Sequence, residues 1–151
     1  MSDPYTLTYP YDAPPANGTI QEVAPGVYWL QMPLPMSLKY INLYLLEDDD
    51  GWTVIDTGIR GDETRELWQT IADDCLQGKP ITRIVCTHMH PDHTGQAGYL
   101  FETWRAPLYM SFREYYQARN MFTMMPGPNW QMTEYFQRTG LTFDIQGRIQ
   151  N

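Results

Sequence analysis

All three histidines of this 151-residue chain fall within seven residues, Thr87-His88-Met89-His90-Pro91-Asp92-His93. Histidine used for packing or surface polarity has no reason to concentrate in this way. Ahead of the cluster, ITRIVCTH (Ile81 to His88) is a buried-type strand; behind it, DHTGQAGYLFETW reads as a helix opening just after Pro91. The backbone must pass from extended to helical inside the cluster, which narrows the fold. Residues two apart on an extended segment point to one side, so His88 and His90 present their rings together. Pro91 biases His90 away from the helical region and keeps that alternation intact. Asp92 and His93 then project from the first helical turn, where a carboxylate also suits the macrodipole. Two imidazoles from the strand end, with a carboxylate and an imidazole from the helix start, can converge on one pocket while supplying two neighbouring metals. Nitrogen and carboxylate donors fit zinc (one or two ions), or a similar divalent ion such as iron or manganese.

Residues 1–20, rich in Pro, Tyr, Asp and Gly, read as an extended arm with a turn at Asn17-Gly18; residues 21–151 read as one domain. Strand signals follow in GVYWLQM (Gly26 to Met32) and in YINLYLLE (Tyr40 to Glu47), where Ile41, Leu43 and Leu45 share a face. After the turn DDDG, WTVID (Trp52 to Asp56) completes a hairpin. From Asp62, an expected N-cap, Leu67, Trp68, Ile71, Ala72, Cys75 and Leu76 recur at helical spacing, until Gly78 and Pro80 end the helix. A short strand APLYM and helices around Phe112 to Phe122 and Trp130 to Thr139 come last. Strands first, then helix–strand alternation, predict a mixed sheet with helices packed on it, of α/β or α+β class. Sites on such sheets lie beyond strand C-termini, where both Asp56-Thr57-Gly58 and the histidine cluster stand.

Composition excludes some functions. A net charge of −8 with ten Lys and Arg lacks the basic footprint of a nucleic-acid binder. No apolar run reaches membrane-span length, so no membrane role is expected. The first residues show neither a charged n-region nor an apolar h-region, and two cysteines make no disulfide framework, which predicts a cytoplasmic protein with reduced thiols.

THMHPDHTG resembles the His-x-His-x-Asp-His motif of the metallo-β-lactamase superfamily, and VIDTG resembles that family's strand ending in Asp-Thr-Gly. Order, spacing and the intervening helix agree over roughly residues 20–110. The resemblance implies an αββα sandwich, of which this chain would carry mainly the first β-sheet half plus a helical insertion. It implies an enzyme, a metal-dependent hydrolase with His88 and His90 on one metal and Asp92 and His93 on a second. A metal-bound hydroxide would attack a small-molecule thioester, ester or lactone, with Asp92 also orienting that nucleophile. Asp56 would hold the ligand loops through hydrogen bonds; its alternative is a plain strand-end turn residue. An iron-dependent oxidoreductase branch of the same fold, and a non-catalytic metal-binding half-domain, are the competing functions.

The pattern departs from the family downstream. No histidine follows His93, and the sole later aspartate, Asp144, sits in surroundings unlike the family's bridging motif. The chain therefore reads as an incomplete, N-terminal half, with negligible hydrolysis expected of it alone. An uncovered sheet face would leave it open to forming a homo-oligomer. Among smaller signals, Cys86 shares strand parity with His88 but reads as a core thiol. Gly95, Ala97 and Gly98 predict close packing of the motif helix. The loop Pro33 to Lys39 is either a cover for substrate or an ordinary hairpin loop. Phe112, Tyr115 and Tyr116, like Met132, Tyr135, Phe136 and Thr139, recur at helical spacing and predict core-facing helices, with an apolar wall over the site as the alternative.

Overall fold

The computed structural model describes residues 7, 9–124, 138, 142–143 and 149–150. Two compact units emerge, Met1–Tyr115 and Tyr116–Asn151. The first holds six strands in one sheet, ordered as in the sequence: β1 (Gln21–Ala24), β2 (Val27–Pro33), β3 (Tyr40–Asp48), β4 (Gly51–Ile55), β5 (Ile81–Val85) and β6 (Leu108–Tyr109). The first four pair antiparallel through short turns. From β4 to β6 the pairing is parallel, and parallel neighbours need a crossover. Helix α1 (Asp62–Asp74) supplies the first; α2 (Pro91–Thr94) and α3 (Ala97–Trp104) supply the second. α4 (Phe112–Met124) follows β6, and in the second unit β7 (Thr142–Phe143) pairs antiparallel with β8 (Ile149–Gln150).

The expected alternation organises the core. Ile41, Leu43 and Leu45 are buried on one face of β3, while Tyr40 and Tyr44 are exposed on the other. Leu30, Val54 and Ile84 join that buried face by register, and Trp68, Ile71 and Leu100 pack on it from α1 and α3. Each such burial contributes about 1.5–3 kcal/mol. The two buried indoles are satisfied: Trp52 Nε1 donates to Leu76 O at 3.1 Å and Trp68 Nε1 to Thr57 O at 2.8 Å. The second bond also ties α1 to the loop after β4.

The opposite sheet face is mixed rather than apolar throughout. Cross-strand register aligns Trp29, Tyr44, Ile55, Val85 and Tyr109 in one row over five strands. Asn42, Thr53 and Arg83 share that face, and Arg83 pairs with Asp48 at 2.7 Å.

Several local expectations change. β5 stops at Val85, because the backbone bends at Thr87 to Met89. Gly61, not Asp62, caps α1; Asp62 lies in the first turn and meets Arg65 at 3.5 Å. The single helix expected after Pro91 is two, because at Gln96 the backbone N–H is taken by Thr57 Oγ1 (3.1 Å). Gly95 packs tightly, since a Cβ there would run into Arg60 N and lie 2.8 Å from Gly58 O, whereas one at Gly98 would meet nothing within 4 Å. Phe112, Tyr115 and Tyr116 on α4 are 79%, 39% and 56% exposed, so their spacing does not mark a core-facing stripe. The expected helix Trp130 to Thr139, apart from Arg138, and Asp144 lie outside the described residues.

Candidate metal centre

The parallel pairing of β4 with β5 puts Ile55 beside Val85, so the segments after both strands leave the sheet at one edge. Asp56 N donates to Val85 O (2.8 Å), and Thr57 N and Oγ1 both donate to His93 O at 2.8 Å. Residues 36 apart are thereby stitched together. Gln96, almost wholly buried, adds a second set of stitches: its Nε2 donates to Ile59 O (3.2 Å) and Gly61 O (2.7 Å).

Asp56 is the hub. Its φ of 62° lies in the left-handed region, a conformation Asp tolerates better than most residues but still at a cost of order 1 kcal/mol. The turn aims a carboxylate that is almost fully buried at the histidine loop. Oδ1 accepts the Thr87 N–H at 2.7 Å, and Oδ2 accepts the Thr87 hydroxyl and the His93 Nδ1–H, each at 2.8 Å. Asp56 therefore contacts the loop at two points, Thr87 and His93.

The network also fixes the tautomer of His88. Thr87 spends its hydroxyl proton on Asp56, so toward His88 Nδ1, 3.0 Å away, it can only accept. His88 must then carry its proton on Nδ1 and a lone pair on Nε2. His93 gives its Nδ1 to Asp56 and turns its Nε2 toward Asp92. His88 Nε2 faces His90 Nδ1 at 3.0 Å, and His93 Nε2 faces Asp92 Oδ2 at 3.4 Å. The second pair places an imidazole nitrogen beside a carboxylate oxygen, both of them atom types that ligate divalent metals.

The loop backbone follows from its sequence. His90 is extended (φ −62°, ψ 145°) ahead of Pro91, which takes the first position of α2. The rings of His88 and His90 lie 4.6 Å apart and those of His88 and His93 3.8 Å apart, so the three imidazoles form one cluster. Among the described residues, no group of three or more His, Cys, Asp or Glu is disposed to hold one ion. The donors come instead as two adjacent pairs. The edge of a tetrahedron with bonds of ~2.0–2.1 Å is roughly 3.3–3.4 Å; His93 Nε2 and Asp92 Oδ2 span one such edge, while His88 Nε2 and His90 Nδ1, at 3.0 Å, stand at hydrogen-bond distance. The residue types, three imidazoles and a carboxylate, are ones that suit a divalent metal.

Cys86 is not a donor in this cluster. It is buried, its thiol lies 3.7 Å from His93 O, and burial, with the Asp56 charge added, pushes it up to about 12. Burial and the Asp74 charge also raise Cys75.

Glu114 belongs to the site and has no counterpart in the sequence reading. Its Oε2 accepts the Met89 N–H, between His88 and His90, at 2.9 Å. The available signal, Ser111-Phe112-Arg113-Glu114, matches a capping box and points to a local role instead.

The metallo-beta-lactamase superfamily model matches residues 37–126. Among solved structures, a beta-lactamase domain protein from Burkholderia ambifaria is 46% identical, with a TM-score of 0.70. The match covers 73% of this chain and 37% of that one. A metallo-beta-lactamase family protein from Thermus thermophilus is 25% identical (TM-score 0.67), with 86% of this chain and 46% of that one covered. The metallo-beta-lactamase FIM-1 from Pseudomonas aeruginosa, in its mono-zinc form, shares the fold at 22% identity and a TM-score of 0.57, covering 68% of this chain and 45% of that one. No curated protein matches the chain. The chain spans less than half the length of these relatives, and within that span its sheet, its crossover helices and its His-x-His-x-Asp-His loop place it in the metallo-beta-lactamase superfamily, to which it belongs.

Proposed function

We propose that the chain carries the metal-binding half of a hydrolase acting on a thioester, ester or lactone. The observation that carries this reading is the network in which Asp56, directly and through Thr87, engages Nδ1 of His93 and of His88 and leaves both Nε2 atoms outside it. His88 and His90 would hold one zinc ion, and Asp92 and His93 a second. A metal so held supplies Lewis acidity toward a carbonyl oxygen and acidifies a water. Asp92, with a carboxylate at the rim of the cluster, orients the attacking water, and Asp56 keeps the imidazoles in the tautomer that binds.

An apolar acyl substrate is favoured by the loop between β2 and β3. Tyr44 pairs with Ile55, so Tyr40 stands four residues, roughly 13 Å, past the end of β4 on the site edge. Met36 and Leu38 in that loop are 53% and 62% exposed and offer contact to an acyl chain. The net charge of −8 works against polyanionic substrates. Two unpaired cysteines suit a reducing compartment such as the cytoplasm.

Metal content after dialysis against zinc, compared between the parent and a His88→Ala/His90→Ala variant, tests the site. Hydrolysis of generic thioesters, lactones and phosphodiesters, by this chain and by a longer chain containing a downstream half, tests the reaction. Metal retained by the parent alone, with turnover confined to the longer chain, is the expected result. Equal metal in both proteins defeats the ligand assignment. Metal binding without turnover by either chain favours the non-catalytic reading, and iron with oxygen-dependent chemistry favours the oxidoreductase one.

A further inference from the structure

We propose that Glu114 is a positioning residue of the histidine loop: by taking the Met89 N–H it holds the bend that brings the rings of His88 and His90 together. Met89 is the residue between the two imidazoles, and its peptide group sets their relative orientation. Met89 lies in the bend at Thr87 to Met89, beyond the sheet, where its N–H has no neighbouring strand to bond to, because β5 has ended at Val85 and β6 at Tyr109. Glu114 Oε2 supplies the missing acceptor at 2.9 Å across 25 residues of sequence.

The local geometry of α4 shows that the contact is not incidental. Ser111 caps the helix in the usual manner: its carbonyl accepts the Tyr115 N–H (2.9 Å) and its hydroxyl the Glu114 N–H (3.3 Å). A capping box would send the glutamate carboxylate back to the Ser111 N–H. Here Oε2 reaches out to the histidine loop instead. A carboxylate bond to a backbone N–H is charge-assisted and roughly twice as strong as a neutral one. Asp56 grips the loop at Thr87 and His93; Glu114 grips it between them, so every histidine is adjacent to an anchored residue or is itself anchored.

The consequence for metal affinity rests on the function proposed above; the positioning itself does not, and the test separates them. Backbone amide exchange is measured first on the metal-free chain, for the parent and for Glu114→Ala, Glu114→Gln and Ser111→Ala. Glu114→Ala is expected to speed Met89 exchange at least about tenfold while Ile84, within β5, stays unchanged. Glu114→Gln retains an acceptor oxygen and is expected to keep most of the protection. Ser111→Ala loosens the helix start only and should leave Met89 near parental. Unchanged Met89 exchange in Glu114→Ala, or equal acceleration in Ser111→Ala, overturns the proposal, as does loss of protection in a folded Glu114→Gln. Cobalt(II) titration followed by visible absorption then reads the consequence, an affinity about tenfold weaker in Glu114→Ala and restored in Glu114→Gln. A parent that binds no cobalt while Met89 protection still depends on Glu114 would sink the metal reading and leave the positioning role standing.

Discussion

Asp56 Oδ2 lies 2.8 Å from both Thr87 Oγ1 and His93 Nδ1, so one oxygen orients two imidazoles, the first through a hydroxyl and the second directly. Asp56→Asn keeps the shape and removes this double acceptance. With the amide oxygen on the Thr87 N–H, the NH2 is accommodated only if the Thr87 hydroxyl turns and the His93 proton leaves Nδ1, a rearrangement expected to cost about 1 kcal/mol. The freed rings lose their fixed tautomer, and metal affinity is expected to fall about 10–100-fold. Thermal melts and competition with a chromophoric chelator measure the two effects. Parental zinc affinity in a folded Asp56→Asn protein would contradict the tautomer argument.

Two glycines in the motif region should behave oppositely. A Cβ at Gly95 has only backbone to displace, Arg60 N and Gly58 O among it, so Gly95→Ala is expected to destabilise by about 2–4 kcal/mol. Gly98 sits inside α3 facing open space, and Gly98→Ala is expected to be neutral or to stabilise by ~0.5–1 kcal/mol. Urea unfolding of both variants decides, and a similar loss in each would mean that close packing extends further along the helix.

Cys86 is expected to be nearly inert in the folded chain. A rise from 9.0 to about 12 is three units, or about a thousandfold less thiolate at neutral pH. Alkylation at pH 8 should be at least ~100-fold slower at Cys86 than in the urea-unfolded chain. The linkage has a definite sign: a thiol whose folded value is raised contributes stability fully present below its unfolded value. That contribution is lost as pH climbs from about 9 toward 12, so Cys86→Ala should flatten the alkaline end of the stability curve. Rapid labelling of Cys86 under native conditions would refute its placement.

The row Trp29, Tyr44, Ile55, Val85 and Tyr109 leaves aromatic and aliphatic surface on the sheet face turned away from the core, with Tyr44 39% and Tyr109 52% exposed. Self-association through it is expected. Sedimentation over a concentration series should show parental mass rising with concentration, and Tyr44→Glu should hold the chain monomeric. A parent that remains monomeric throughout argues against this face as a contact.

Features whose causes lie within a few residues were legible in the chain. Alternation fixed the buried face of β3, Pro91 fixed the extended-to-helical switch at His90, and the clustering of His88, His90, Asp92 and His93 was legible because they are neighbours in the chain. Only the tertiary structure decided which side chains complete the site. Asp56 could be a turn residue or a loop holder until β4 and β5 paired in parallel and brought it to Thr87 and His93, 31 and 37 positions away. Gln96 broke a helix that periodicity drew as continuous, because Thr57 competes for its backbone N–H. Glu114 carried a local capping signal and was used at long range. Hydrogen-bond partners across a crossover are set by sheet register and helix placement, and neither leaves a trace in the spacing of the residues concerned.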